Sequence, residues 1–452
     1  MNRDYLIQSK PLPALTIFVI PIILGNLFQQ FYNLVDSAIV GQYVGENALA
    51  AVGACLAFTN VFIFIANGGG IGASVIVGKH FGAREYKNMK TAIFTAFITF
   101  AVFSTLLGGL GLICGKWVMI LLRTPEEILD MATLYLNIYF MGLPFLFLYN
   151  ITASMFNALG KSKFPLLFLI ISSLLNIGLD FLFVKYFKWG ICGAAWATLI
   201  AQGFSFLISF YVFMRELRKF NIGKTTLFSR EELIHMTRIA LPSILQQSTI
   251  SIGLMLVQSV VNSFGAPTLA GYSVGLRIEA IGSVAMIAPG TAISTFTAQN
   301  YGAKKIDRIP KGFISGNIIV GIAAVLFFIF LHFFRDNIIT FFLAEKGSET
   351  AYETAKAYLN YMSIVLCILG FKLNIDGVLR GVGSMKVFTI ASFVNIILRV
   401  TFSNVFASII GIQAVWISNP VGWIVSFTMC YITYRIWMKK HSQPLINEVN
   451  DK

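Results

Sequence analysis

The chain has 452 residues, of which 57% are hydrophobic and only 12% charged, with a formal net charge of +14. Soluble globular proteins are about a quarter charged. Together with a mean hydropathy of +0.77, this excludes a disordered chain, a disulfide scaffold and an ordinary cytosolic enzyme, and points to a polytopic membrane protein.

Apolar runs long enough to cross a bilayer, about 20 residues each, recur twelve times. They cover 14–37, 48–77, 91–115, 130–154, 163–184, 190–214, 234–262, 267–297, 312–334, 354–379, 386–408 and 411–434. The first is too long for the apolar core of a cleaved leader, and Pro21 and Asp36 within it mark a retained helix. Before the fourth, Thr124-Pro125-Glu126-Glu127 reads as an N-cap threonine, a proline at the first helical position and a capping-box acid. Thr350 and Glu353 have the same spacing before the tenth. Between the sixth and seventh runs, 215–233 carries Arg215, Arg218, Lys219, Lys224 and Arg230. This stretch suits a solvated linker or, from the Ser229 and Glu232 spacing, a short surface helix.

Placing both termini and the even-numbered connections on one side gathers most of the Lys and Arg there. Basic residues stay cytoplasmic in short loops, so both termini are expected in the cytoplasm. The basic balance is topology, and no nucleic-acid partner is expected.

The chain repeats itself once, displaced by about 220 residues. Gly70-Ile-Gly-Ala-Ser74 and Phe81-Gly82-Ala83-Arg84 correspond to Gly290-Thr-Ala-Ile-Ser294 and Tyr301-Gly302-Ala303-Lys304. Pro21 matches Pro242, Val35-Asp36-Ser37 matches Val257-Gln258-Ser259, and Asn176-Ile177 matches Asn395-Ile396. Ala194-Ala195-Trp196 matches Ala414-Val415-Trp416. The expected fold is an all-α integral membrane protein of twelve transmembrane helices in two six-helix bundles. Six is even, so the bundles enter the membrane in the same sense, related by a pseudo-twofold axis along its normal. The expected divisions are 1–214 for the N-terminal bundle, 215–233 for the linker, 234–438 for the C-terminal bundle and 439–452 for a cytoplasmic tail.

Catalytic motifs are missing. Gly160-Lys161-Ser162 looks like the end of a phosphate loop, but Met155 stands where glycine is required and no strand precedes it. His80, His235, His332 and His441 are far apart, and Cys55, Cys114, Cys192, Cys367 and Cys430 have no zinc or disulfide spacing. No cofactor is expected, and if the chain pumps it must draw on an ion gradient.

Acids inside the apolar runs are few, and such residues usually face a cavity and carry function. Asp36 and Asp180 have no basic residue within four positions, and Asn176 shares a helix face with Asp180. Two carboxylates, an amide and a hydroxyl suit either a small hard cation such as Na+ or a shared proton. In the second half, Glu279 lies too near Arg277 in sequence to face it, while Lys372 and Arg380 flank Asp376 at helical spacing. Arg399 is opposite in sign to its repeat partner Asp180 and reads as a fixed cation. These five, Arg277, Glu279, Lys372, Asp376 and Arg399, form an expected C-lobe polar cluster.

The segment Asn33-Leu-Val-Asp36-Ser-Ala-Ile-Val-Gly41, the paired Phe81-Gly82-Ala83 and Tyr301-Gly302-Ala303 turns, Leu159-Gly160 and Leu379-Arg380-Gly381 resemble the multidrug and toxic compound extrusion (MATE) family over about residues 10–438. The prokaryotic DinF-like branch implies an N-lobe cation site, which falls here on Asp36, Asn176, Asp180 and Thr198, and a helix-one bend at Pro21. A mid-helix proline removes one backbone hydrogen bond, which gives such a bend a physical basis. The chain departs from the NorM-like branch, offering Gln246 and Gln247 where that branch has a glutamate, so no cation site is carried onto Asp376.

The resemblance implies an antiporter that exports amphipathic, cationic small molecules or drugs in exchange for H+ or Na+ by alternating access, acting as a monomer in the bilayer. A cavity lined by adaptable residues such as Met141, Phe156 or Phe31 would suit a broad substrate range, but ordinary lipid-facing or core packing is the expectation for each of them. Two other readings compete: a lipid-linked oligosaccharide flippase of the same superfamily and, more distantly, an integral-membrane lipid enzyme. The flippase would need a more cationic cavity, and the enzyme a clustered catalytic set.

Overall fold

The computed structural model describes residues 4–221, 223, 225–343 and 348–450. Residues 1–3 at the start of the N-terminal half, Lys224 in the linker and 451–452 of the expected tail lie outside the described residues. The first unit of structure is a short helix, α1 (Tyr5–Gln8). Long helices follow: α2 (Pro11–Tyr43), α3 (Glu46–Gly82), α4 (Tyr86–Leu121), α5 (Glu126–Ala158) and α6 (Lys163–Asp180). A π-helical segment, Phe181–Tyr186, leads to α7 (Gly190–Arg218) and α8 (Arg230–Asn262). The chain ends with α9 (Ala266–Gly302), α10 (Arg308–Leu343), α11 (Glu349–Val382), α12 (Met385–Ile410) and α13 (Gln413–Asn450).

Twelve of these are long and apolar enough to span a membrane. Hydrocarbon offers no hydrogen bonds, so a helix, which satisfies its own backbone, is the form such sequences adopt there. Large apolar side chains such as Leu121 and Phe341 are both 81% exposed, as suits residues whose solvent is acyl chain.

Two compact units divide the chain, Leu24–Ile244 and Met1–Ile23 with Leu245–Lys452. The boundaries fall inside α2 and α8, just beyond Pro21 and Pro242, and thus differ from the expected division at 215–233. The reason is local packing. In the discontinuous unit, the carbonyl oxygens of Leu6 and Ile7 accept from Asn300 Nδ2 and Lys305 Nζ, each at 3.1 Å. In the Leu24–Ile244 unit, the start of α8 lies so close to α3 that a Cβ at Gly72 would sit 2.6 Å from the Met236 carbonyl oxygen.

Each unit has its own core. Phe140 on α5 meets Phe58 and Phe62 of α3 edge to face at 5.9 and 5.4 Å. In the other, Tyr358 of α11 packs edge to face on Tyr272 and Trp416 at 5.3 and 5.5 Å.

The internal repeat reappears as geometry. A Cβ at Gly70 would meet Ser154 Oγ of α5 at 2.4 Å, and one at Gly290 would meet the Leu373 carbonyl oxygen of α11 at 2.7 Å. Small residues stand where backbones cross closely. The turns after α3 and α9 also match. Arg84 and Lys304 both take left-handed φ values, 59° and 56°, and Glu85 and Lys305 donate back to His80 and Asn300 carbonyls at 3.0 and 2.9 Å. Left-handed glycines recur in pairs that sequence similarity alone did not single out, Gly45 with Gly265 and Gly190 with Gly411.

The helix starts differ in detail from expectation. α5 begins at Glu126 with Pro125 in extended conformation before it, so Thr124 does not cap. α11 is capped by Ser348, whose hydroxyl accepts from the Ala351 N–H at 3.2 Å, rather than by Thr350. An N-cap hydroxyl is worth about 1 kcal/mol. Ser348→Ala should therefore lower the thermal unfolding temperature of the purified protein measurably, while Thr350→Ala should have a smaller effect.

The linker holds no separate surface helix among the described residues. α8 starts at Arg230, with the Glu232 N–H donating to Ser229 Oγ at 3.4 Å as the capping spacing implies. His80 fixes this end, its Nδ1 lying 2.8 Å from Glu85 and its Nε2 3.1 Å from Glu232. Its hydrogen bond to His80 holds the Glu85 carboxyl below the usual carboxylate range. Lys161, the lysine of the phosphate-loop lookalike, pairs with Glu216 at the end of α7, as does Lys219.

Candidate functional site

Asp36 lies about two turns before the end of α2, and Asp180 is the last residue of α6. Their carboxyl groups lie close enough to share a hydrogen bond. Asp180 is fully buried and Asp36 half-buried. Among the described residues, neither has a Lys, Arg or His within ion-pair distance. A hydrogen bond between two carboxyl groups needs one proton between them. Its removal sets two like charges in contact, which is costly without a compensating cation.

Around this pair the site is polar on several sides. Asn176, one helical turn before Asp180, is buried. In one amide orientation its Nδ2 lies 3.3 Å from Thr198 Oγ1 of α7. Turned over, Nδ2 donates to Asp180 Oδ2 at 2.9 Å and Oδ1 accepts from the Thr198 N–H at 3.1 Å. Only the second orientation gives an ionised Asp180 a donor from Asn176, because a carboxylate can only accept.

The four residues Asp36, Asn176, Asp180 and Thr198 thus come together within the Leu24–Ile244 unit. Tyr32 joins them, lying beside the Thr198 side chain and close enough to feel the charges of Asp36 and Asp180. Tyr135 of α5 feels the Asp36 charge as well. Neither tyrosine was singled out from sequence, although Tyr32 stands four residues before Asp36, the spacing that puts two side chains on one helix face. Asp36 Oδ1 and Asp180 Oδ1 are buried without a hydrogen-bond partner, so two acceptor oxygens remain open.

Directly after Asp180 the helix widens into its π-helical segment, with Phe187 N–H donating to the Leu182 carbonyl at 2.9 Å. Such turns often occur at functional positions, because the extra residue re-aims neighbouring side chains. Gly193 of α7 makes room for it: a Cβ there would lie 3.1 Å from the Phe183 backbone. The fifth span is therefore not a uniform α-helix.

In the discontinuous unit, the five expected polar residues fall into separate groups. Lys372 pairs with Asp376 at 2.5 Å, and Gln246 Nε2 donates to the same carboxyl oxygen at 2.8 Å, all three being buried. Gln246 thus adds no charge and solvates the ion pair. Arg380, the other expected partner of Asp376, lies over the Phe388 ring at 6.0 Å. Glu279 accepts a hydrogen bond from the Tyr358 hydroxyl and feels the charge of Arg399. Arg277 sits over the Phe342 ring at 6.0 Å. Of the three residues that would suit a cavity, Phe31 and Met141 are exposed, and Phe156 is fully buried among Phe164, Phe168 and Phe213, packed in the core.

The MatE family model matches residues 21–182 and 242–405, one match in each repeat. The probable multidrug resistance protein YpnP of Bacillus subtilis strain 168 is 29% identical over 433 residues, covering 95% of this chain and 96% of that protein. The probable multidrug resistance protein YoeA of the same strain is 27% identical over 457 residues, covering 97% of each. A solved structure described as the outward-facing conformation of a multidrug resistance MATE family transporter of the MOP superfamily superposes with a TM-score of 0.90. It is 22% identical and the match covers 98% of this chain and 99% of that one, a likeness of fold. With both repeats matched over well more than half its length, the chain belongs to the MatE family, whose members are secondary transporters and not enzymes.

Proposed function

We propose that this chain is an ion-coupled antiporter that exports amphipathic organic compounds, cations among them, and that Asp36 and Asp180 are its coupling site. The observation that carries this reading is the carboxyl pair, Asp180 fully buried and Asp36 half-buried, close enough to share a hydrogen bond and without a basic partner. Such a pair changes charge when a proton or Na+ arrives, and Asn176, Thr198 and Tyr32 supply further oxygen atoms for either ion. The multidrug resistance names of YpnP and YoeA support the export of drug-like compounds.

In this mechanism the coupling ion enters from outside and neutralises the pair. Loss of the open charge removes the demand for donors around Asp180 and lets the Asn176 amide turn. The change in charge on α2 and α6 alters the helix carrying Pro21, where a backbone hydrogen bond is already missing, and the exported compound is released. An inward-directed potential supplies about 2.3 kcal/mol per charge per 100 mV. One chain acts alone, with both termini in the cytoplasm.

The test is efflux of a fluorescent organic cation from proteoliposomes under a proton gradient and a sodium gradient imposed separately. Transport is expected under one of them and identifies the ion. Equal rates with and without either gradient would overturn the antiport reading, and translocation of lipid-linked oligosaccharide in their place would favour a flippase.

A further inference from the structure

The repeat places Asn395, Arg399 and Ser418 where the first half has Asn176, Asp180 and Thr198. The second lobe therefore keeps the amide and the hydroxyl and inverts the charge. Asn395 and Arg399 stand one turn apart on α12, and Ser418 on α13 is fully buried. The two helices approach closely here: a Cβ at Gly422 of α13 would fall 2.2 Å from Asn395 Oδ1.

Arg399 is half-buried inside a span, and its Nε is shielded from solvent with no acceptor. Asn395 Oδ1 on the preceding turn is likewise buried and unpartnered. Among the described residues no carboxylate lies within ion-pair distance of the guanidinium. Glu279 is near enough to interact through its charge, but its carboxyl is engaged by the Tyr358 hydroxyl. An unmatched charge at the middle of a span costs about 2.5–3.5 kcal/mol on insertion scales and is retained where it serves a cavity or a ligand. A planar guanidinium is the side chain best suited to a carboxylate, which it grips through two parallel hydrogen bonds.

We propose that Arg399 is a binding residue for the carboxylate of an exported amphiphile, with Asn395 beside it as a further polar contact. The exported class thus includes zwitterions, compounds with a carboxylate beside a cationic centre. This rests on the export reading above and names part of its substrate range.

Rhodamine B, which carries a free carboxylate, and its methyl ester, which does not, form a matched pair of probes. Their binding to the full chain in detergent is measured by fluorescence polarisation for wild type, Arg399→Gln and Arg399→Lys, each first checked for fold by its thermal transition. Arg399→Gln should weaken rhodamine B binding about tenfold or more, the scale of one charge-assisted contact, and leave the ester nearly unchanged. Arg399→Lys should recover part of the loss, since it keeps the charge without the planar fork. If Arg399→Gln does not fold, a loss in Arg399→Lys confined to rhodamine B carries the same conclusion. Equal effects on both probes, or none on rhodamine B, would overturn the assignment. Wild type binding the ester alone would overturn it too while leaving the export reading intact, and wild type binding neither probe would count against both.

Discussion

Asp36→Asn reduces gradient-driven efflux in proteoliposomes to the level of empty liposomes, while the protein still folds and binds its exported compound. The substitution preserves shape and hydrogen-bonding capacity near Asp180 but removes the group that gains and loses charge. The pair can then hold no more than one negative charge, that of Asp180, so the arriving ion no longer relieves the repulsion between two carboxylates in contact. Asp180→Asn should behave the same way. The double variant should be no worse than either single one, because residues that act as one unit are strongly non-additive. Binding of a fluorescent substrate in detergent separates lost coupling from lost structure. Gradient-driven rates at the wild-type level in Asp36→Asn would remove the carboxyl pair from the mechanism.

Gly377→Val has the largest expected effect on stability. The α9–α11 contact runs through glycine on both sides, and a Cβ at Gly377 would lie 2.3 Å from the Gly290 carbonyl oxygen and 3.3 Å from the Ser294 nitrogen. Both are backbone atoms, so no side-chain rotation relieves the clash and the helices must part. Overpacking a core usually costs about 1–3 kcal/mol, and separating two helices that meet at their backbones belongs at or above the top of that range. The variant should fail to give a monodisperse peak on size-exclusion chromatography or lose much of its thermal stability. Gly321→Ala on α10, where a Cβ meets nothing within 4 Å, is the control and should be neutral or slightly stabilising. A Gly377→Val protein as stable as wild type would show that the α9–α11 approach is looser than described.

The parts of this molecule that were legible in the sequence are those set by periodicity. Apolar runs gave the twelve spans, and the four-residue step from Asn176 to Asp180 put both on one face. That Asp36 meets Asp180 was not legible, since nothing in α2 or α6 specifies which helices become neighbours. The resemblance supplied it, together with Thr198. Tyr32 could have been found from the same four-residue step that revealed Asn176. The widened turn after Asp180 has no sequence signal, because it depends on the room that Gly193 leaves on another helix. Capping failed as a guide at Thr124 and Thr350 because several polar residues precede each helix and the tertiary contacts choose among them. Charge reasoning gave Lys372 and Arg380 equal claims on Asp376, and only packing decided between them by setting Arg380 against Phe388.

The boundaries at Pro21 and Pro242 bear on how a doubled chain arises. The segment before each boundary belongs to the unit formed mainly by the other repeat. A half-length ancestor built on this plan would lack its own opening segment and would be complete only as a pair of copies, each lending that segment to the other, as in domain-swapped dimers. Joining the copies into one polypeptide turns the loan into a permanent exchange. It also frees the halves to diverge, one keeping an acid at Asp180 while the other takes the opposite charge at Arg399. Cutting the chain between α7 and α8 would therefore not yield two self-sufficient domains but two fragments, each holding a piece of the other.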